Sequence, residues 1–205
     1  MTSQSRTVVG RLFVFAALVS APAAVAQEIR NTSYVAPDGS RVLQHSAVVP
    51  AALRDVWDAI TTTEGVRSWA VPVANVDFRL GGIWESSYKP DAKIGEPGNI
   101  QNRFLAFLPL RMVSMQAVAA PAGFPHKELL PEIFTVIELQ EEGPKAVRVT
   151  VSMVGYKAGE GYDALYRHFE KGNAWSLEKL YKRFVEGPID WAKAFASVPK
   201  TGGER

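Results

Sequence analysis

The chain has 205 residues, no cysteine, and 23 Lys+Arg against 21 Asp+Glu, a formal net charge of +2. The excess lies wholly in residues 1–26, where Arg6 and Arg11 meet no acid, so the remainder is electrically balanced. Balance argues against a nucleic-acid surface, which needs a basic excess to release counterions; the missing cysteines exclude disulfide frameworks, thiolate nucleophiles and Cys-ligated metals. With 47% hydrophobic and 21% charged residues the chain is not disordered. Residues 27–205 suit one domain, which at that size buries roughly 70% of its unfolded surface without a metal or disulfide.

In chain order, the first element reads as an export segment. Arg6 and Arg11 precede the apolar run Leu12–Val19, a small-residue stretch follows to Ala26, and Ala24-Val25-Ala26 fits an A-x-A cleavage site. The expectation is a signal peptide over 1–26, cleaved after Ala26, giving a periplasmic or secreted protein with no stable membrane anchor. A spanning helix needs about 20 apolar residues, and Pro22 interrupts this run early. The arginines are not adjacent, against a twin-Arg route, and the run is not the amphipathic Arg/Ser pattern of a transit peptide. A chain without cysteine also suits an oxidising compartment.

Residues 27–40 read as an N-terminal extension, with a short strand near Thr32–Val35 and a turn over Ala36–Ser40. The main domain is expected over 41–195. Arg41–Val49 predicts a strand, and Pro50 opens a helix to Ile60 with an apolar stripe at Leu53, Val56, Trp57 and Ile60. A second short helix is expected around Val66–Trp69. Strands follow over Val76–Leu80, Ile83–Lys89, Ile100–Phe107, Met112–Val118, Ile133–Leu139 and Ala146–Val154, with Gly81-Gly82 as a hairpin turn and Pro121–Glu132 as an insertion. A long helix from Tyr162 to Glu186 ends at Gly187-Pro188, and Gly172-Asn173 marks a kink or a thinned place in it. Residues 196–205 form a polar tail. Strands grouped in a meander, with helices at the ends, make an α+β fold. The last helix is the only element large enough to cover a curved antiparallel sheet, and a helix lying across such a sheet leaves a hollow.

Val48-Val-Pro-Ala-Ala-Leu-Arg-Asp-Val-Trp57, Thr62-Thr-Glu-Gly65 with Trp69, Asp77-Phe-Arg-Leu-Gly-Gly82, Pro109-Leu-Arg111, and Gly172-Asn-Ala-Trp175 with Leu177 and Leu180 follow one another in order. In these motifs the stretch Val48–Gly187 resembles the SRPBCC (START-like, helix-grip) superfamily, and within it the branch named for the activator of the heat-shock-protein-90 ATPase. The resemblance implies a sheet of six to seven strands wrapped on the C-terminal helix around an apolar cavity. Members of the superfamily bind lipids, sterols or polyketides, and some cyclise or hydrolyse them. An export segment departs from a cytosolic co-chaperone role, and the insertion puts Phe124-Pro-His126 in position to lie over a cavity mouth.

No nucleophile elbow, phosphate-binding glycine loop or dinucleotide fingerprint occurs. The three histidines, His45, His126 and His168, have no i, i+4 pairing, so no helical zinc site is expected, and no cofactor. His45 reads as an edge-strand residue and His168 as a flank of the last helix. Glu85 and His126 are the weak catalytic candidates: Glu85 points either to solvent or into the hollow, where burial would raise its pKa and make it an acid or base. The stronger signal is aromatic. Trp69, Phe78, Trp84, Tyr88, Phe104, Phe134, Tyr162, Tyr166, Phe169 and Trp175 are spread over sheet and helix, and each is either ordinary core or part of an apolar ligand site, with Tyr88, Tyr162 and Tyr166 offering hydroxyls. The leading expectation is a non-enzymatic binder of a small lipid- or polyketide-like molecule. A cyclase or hydrolase acting on such a molecule, and an envelope protein-interaction domain with a partner still unnamed, are the competing readings.

Overall fold

The computed structural model describes residues 28–196, so the expected signal peptide and all but the first residue of the polar tail lie outside the described residues. The elements run β1 (Arg30–Asn31), β2 (Tyr34–Val35), β3 (Arg41–Val49), α1 (Leu53–Thr61), α2 (Thr63–Arg67), β4 (Val73–Val76), β5 (Ile83–Ser87), β6 (Ile100–Leu108) and β7 (Met112–Ala119). A short 3-10 helix (Lys127–Glu132), β8 (Phe134–Gly143), β9 (Ala146–Tyr156), α3 (Glu160–Val185) and α4 (Trp191–Ala196) complete them. The strands form one antiparallel sheet ordered β1-β3-β9-β8-β7-β6-β5-β4, with β2 also paired to β3. This is the α+β helix-grip architecture. The sheet counts nine strands against an expectation of six to seven because β1 and β2 are two-residue pairings along β3.

Three local expectations change. The strand expected over Val76–Leu80 stops at Val76. There Arg79 N–H donates to Asp77 O and Gly82 N–H to Arg79 O, a tight turn that swings Phe78 inward. Gly82 has no alternative at this point, since a Cβ would sit 2.0 Å from Asp77 O. The long helix starts at Glu160, two residues before the expected Tyr162, and runs unbroken through Gly172-Asn173 to Val185. Its acids Glu160 and Asp163 stand in the first turn and Lys182 and Arg183 in the last, each favourable to the helix dipole. Lastly, His45 is not on an edge: β3 pairs β9 on one side and β1 with β2 on the other.

The main core fills one end of the grip. Val56, Trp57 and Ile60 of α1 pack with Val49, Phe104, Val113, Val147, Val149, Leu177 and Leu180. Phe78 joins it edge-on to Trp57 (5.6 Å between centroids) and to Phe104 (5.0 Å). A register shift between Phe104 and Ala106 reverses the alternation of β6, so Phe107 meets Phe78 at 4.6 Å as well. A second cluster at the other end joins Leu43, Met153, Tyr156, Tyr162 and Leu165 to Leu130 of the insertion and to Ile133 just after it.

His45 is 3% exposed, and its Nδ1 has no hydrogen-bond partner among the described residues. Burial holds its pKa below 6.5, against the smaller opposing pull of the Glu170 carboxylate. The unfolded chain therefore takes up a proton near pH 6.5 that the folded chain refuses, and stability falls as pH drops through that value. A His45→Leu variant should lose less stability than the parent between about pH 8 and about pH 5, read as the difference in denaturant midpoint; parallel pH profiles would refute this.

Candidate functional site

The site grows out of the inner face of α3. Along that face Leu165 and Phe169 occupy one end and Leu177, Leu180 and Phe184 the other, all packed into the two clusters. Between them stand Gly172, Asn173 and Ser176. A Cβ built on Gly172 meets nothing within 4 Å. The helix lies against β3 and β9, and opposite its thin middle β5, β6 and β7 curve away. What remains is a cavity of about 480 Å³, within the range that holds small ligands.

Trp84, Ser86 and Tyr88 line it from the β5 segment, Ile100 and Asn102 from β6, and Ala117 and Ala119 from β7; Pro121 and Phe124 of the insertion and Phe169, Gly172, Asn173, Trp175 and Ser176 of α3 close it. A deeper space of about 190 Å³ shares Trp69, Trp84, Asn102, Phe169, Asn173 and Ser176, and continues to Met115, Ile137, Val151 and Leu180. Tyr88 (53% exposed) and Trp175 (42%) stand at the rim with ring centroids 6.2 Å apart. Lys179 Nζ lies 5.2 Å from the Trp175 ring centroid, a cation–π contact. His168 meets Phe124 edge-on at 5.1 Å, so the insertion packs onto α3 beside the opening.

Of the ten aromatic candidates, Trp69, Trp84, Tyr88, Phe169 and Trp175 line this space. The other five lie elsewhere. Phe78 and Phe104 belong to the closed, filled end of the grip. Phe134 begins β8 without reaching the cavity lining. Tyr166 packs on Tyr156 at 5.1 Å and under the Arg41 guanidinium. Tyr162 donates its hydroxyl to Glu132 Oε2 at 2.7 Å, and Lys157 pairs with the same carboxylate. These hydrogen bonds, Lys157 first, hold the Glu132 carboxyl below its ordinary pKa. Tyr162 is thus a clamp on the end of the insertion.

Neither weak catalytic candidate reaches the cavity. Alternation along β5 puts Trp84 and Ser86 on the cavity face and Glu85 on the other, but Glu85 is not in solvent: it is 7% exposed, beneath the loop 88–99. Its Oε1 accepts from Gly95 N–H and from Asn99 Nδ2, both at 2.6 Å. His126 adopts φ 50° at the start of the 3-10 helix, 3.7 Å from Glu128, and backs onto Gly161 at the head of α3. Among the described residues no group of three His, Asp or Glu is placed to hold a metal ion.

Asn102, Asn173 and Ser176 were not singled out from the sequence. The thinned Gly172-Asn173 pair was the one signal for the two on α3, since a small and a polar residue interrupt an otherwise apolar stripe there; nothing marked Asn102 on β6.

A protein-family model described as activator of Hsp90 ATPase homolog 1-like protein matches residues 50–184. No curated protein matches the chain. Among solved structures, the Aha1 dimer from Colwellia psychrerythraea is 16% identical, with 71% of this chain and 97% of that one covered and a TM-score of 0.55. The crystal structure of CalU16 from Micromonospora echinospora is 19% identical over 83% of this chain and 90% of that one, TM-score 0.54. Protein MLL2253 from Mesorhizobium loti is 16% identical over 73% and 100%, TM-score 0.56. At such identities the likeness is one of fold.

Removing the Glu85 carboxylate should leave Gly95 N–H and one bond of Asn99 unmet. Glu85→Ala should cost about 1–3 kcal/mol in urea unfolding, with Glu85→Gln, which keeps the acceptor oxygen, close to the parent. Neither change should alter occupancy of the cavity, read by a hydrophobic dye; loss of dye binding with stability intact would return Glu85 to the site.

Proposed function

The chain belongs to the activator of Hsp90 ATPase homolog 1-like family of the SRPBCC superfamily, and from that membership we propose that it binds a small hydrophobic molecule between sheet and α3. The observation that carries the proposal is the cavity itself. Its walls are mainly aliphatic and aromatic, it opens to solvent between Tyr88 and Trp175, and its few polar groups are amides, hydroxyls, indoles and the His168 imidazole, with no carboxylate, ammonium or guanidinium. That is the composition of a site that buries an apolar body and orients it through one or two polar contacts. Binding is favoured over turnover because Glu85 and His126 serve the loop and the insertion instead of the cavity. The guest is of lipid- or polyketide-like size and polarity.

We propose also that the protein works outside the cytoplasm, on the strength of the Arg6/Arg11, Leu12–Val19 and Ala24-Val25-Ala26 pattern. Expressed in a Gram-negative host, it should yield an intact mass beginning at Gln27 in the periplasmic fraction. A full-length mass retained in the cytosol would overturn that part.

Gly172 tests the binding reading. It sits in the body of α3 with open space beside it, where the cavity meets the outer groove, so a bulky side chain there stands in the way into the cavity without backbone strain. Gly172→Ala should stabilise the fold by about 0.5–1 kcal/mol, since glycine is a poor helix residue. Gly172→Phe should keep thermal stability at or above that of the parent while abolishing the neutral dye N-phenylnaphthylamine's displaceable binding. If the phenylalanine variant binds dye as the parent does, the guest does not enter here.

A further inference from the structure

We infer that the bound molecule presents an uncharged hydrogen-bond acceptor, a carbonyl oxygen of ketone, ester or amide type, to Trp84 and Asn173; this rests on the binding reading above. Trp84 Nε1 and Asn173 Nδ2 are both shut off from solvent with no hydrogen-bond partner among the described residues. One belongs to β5 and the other to α3, and both residues line the cavity and its deeper extension. The fold pairs other indoles without difficulty: Trp69 Nε1 donates to Ala59 O at 2.9 Å, and Trp191 Nε1 to Arg67 O at 2.6 Å. An indole N–H can only donate, so what completes Trp84 is an acceptor. Two donors left unmet beside one apolar space, on a strand and a helix that both line it, point to a group that enters with its oxygen and little else that is polar.

The charge of that group follows from the lining. No Lys, Arg, Asp or Glu lines either space, and the titratable residues there are His168 and Tyr88. A carboxylate carried inward would be a buried ion without a counter-ion, which is far costlier than a neutral carbonyl. Arg167 and Lys171 lie in a groove outside, which meets the cavity at His168, Gly172 and Trp175. An anionic amphiphile would therefore bind the other way round, with its head at those two cations and its tail inside. The two orientations make opposite predictions about which end of a chain matters.

A matched set of medium-chain compounds decides between them: a methyl ketone, the alkane of the same carbon number, and the corresponding fatty acid, each displacing N-phenylnaphthylamine from the full mature chain. The ketone should bind more tightly than the alkane by roughly 3–10-fold, the worth of one neutral hydrogen bond, and more tightly than the carboxylate. Trp84→Phe and Asn173→Leu should each bring the ketone-to-alkane ratio toward unity. In the parent protein, the indole ¹H–¹⁵N signal of Trp84 should move downfield with the ketone and not with the alkane, a readout independent of any variant's folding. Equal affinity for ketone and alkane, or an unmoved indole signal, would overturn the acceptor while leaving the cavity as a binding site. Tightest binding by the fatty acid, weakened by salt and by Arg167→Gln, would place the polar end outside. If none of the three displaces the dye, the binding reading itself fails, and the acceptor with it.

Discussion

The stiffness of α3 governs the rest of the molecule. A 26-residue helix rises about 1.5 Å per residue and cannot dip locally toward a sheet. It rests on Leu165 near one end and on Leu177 and Leu180 toward the other, all 2% exposed or less. Between Phe169 and Leu177 the residues facing inward are Gly172, Asn173 and Ser176, too short to fill the gap they span. Interiors otherwise pack to crystal-like density, and apolar walls facing a void lose dispersion contacts. The cavity is thus a direct result of side-chain size on one helical face.

The remaining elements keep that space open and bounded. At the closed end Phe78 meets Trp57 and Phe104 edge-on and Phe107 at a tilt, so the deep wall is packed with interlocking rings. On the opposite side the insertion is fixed at its end by Tyr162 and Lys157 on Glu132, which brings Phe124 onto His168 and Phe169. The β5 wall is held from behind. Glu85 binds Gly95 and Asn99 of the loop covering it, so the strand carrying Trp84 has packing on both faces. A carboxylate that looks like chemistry in the sequence is a strut behind a residue that lines the cavity.

Much of this was legible beforehand, and the limits have physical causes. The order of strands, the terminal helix ended by Gly187-Pro188 and the family motifs implied the helix-grip fold. Alternation told which face of a strand a side chain occupies, but not how far along that face it sits. Hence Phe104 and Trp84 looked equivalent, although one fills the closed end and the other the cavity. For Glu85 alternation offered two environments, solvent or hollow; the third, a cover supplied by the 88–99 loop, depends on where an irregular segment folds back. His45 looked like an edge residue because two-residue strands such as β1 and β2 carry no periodic signal. At Gly172-Asn173 the sequence marked the right place, with kinking and thinning both open; the helix continues through the pair, and its short side chains line the cavity.

Electrical balance in the body of the chain bears on how a guest would arrive. Without a net field, long-range steering contributes little to encounter, and an uncharged guest would ignore such a field in any case. Capture on the binding proposal would then fall to the rim, where Tyr88 and Trp175 expose large aromatic surface and Lys179 sits over the Trp175 ring. An aromatic edge of this kind adsorbs many apolar molecules with little discrimination. On the acceptor proposal, discrimination would belong deeper, where an acceptor-bearing guest would satisfy buried donors and a plain hydrocarbon would leave them unmet. An unmet buried donor costs more than a made hydrogen bond gains, so most of the selectivity comes from what the wrong guest fails to supply.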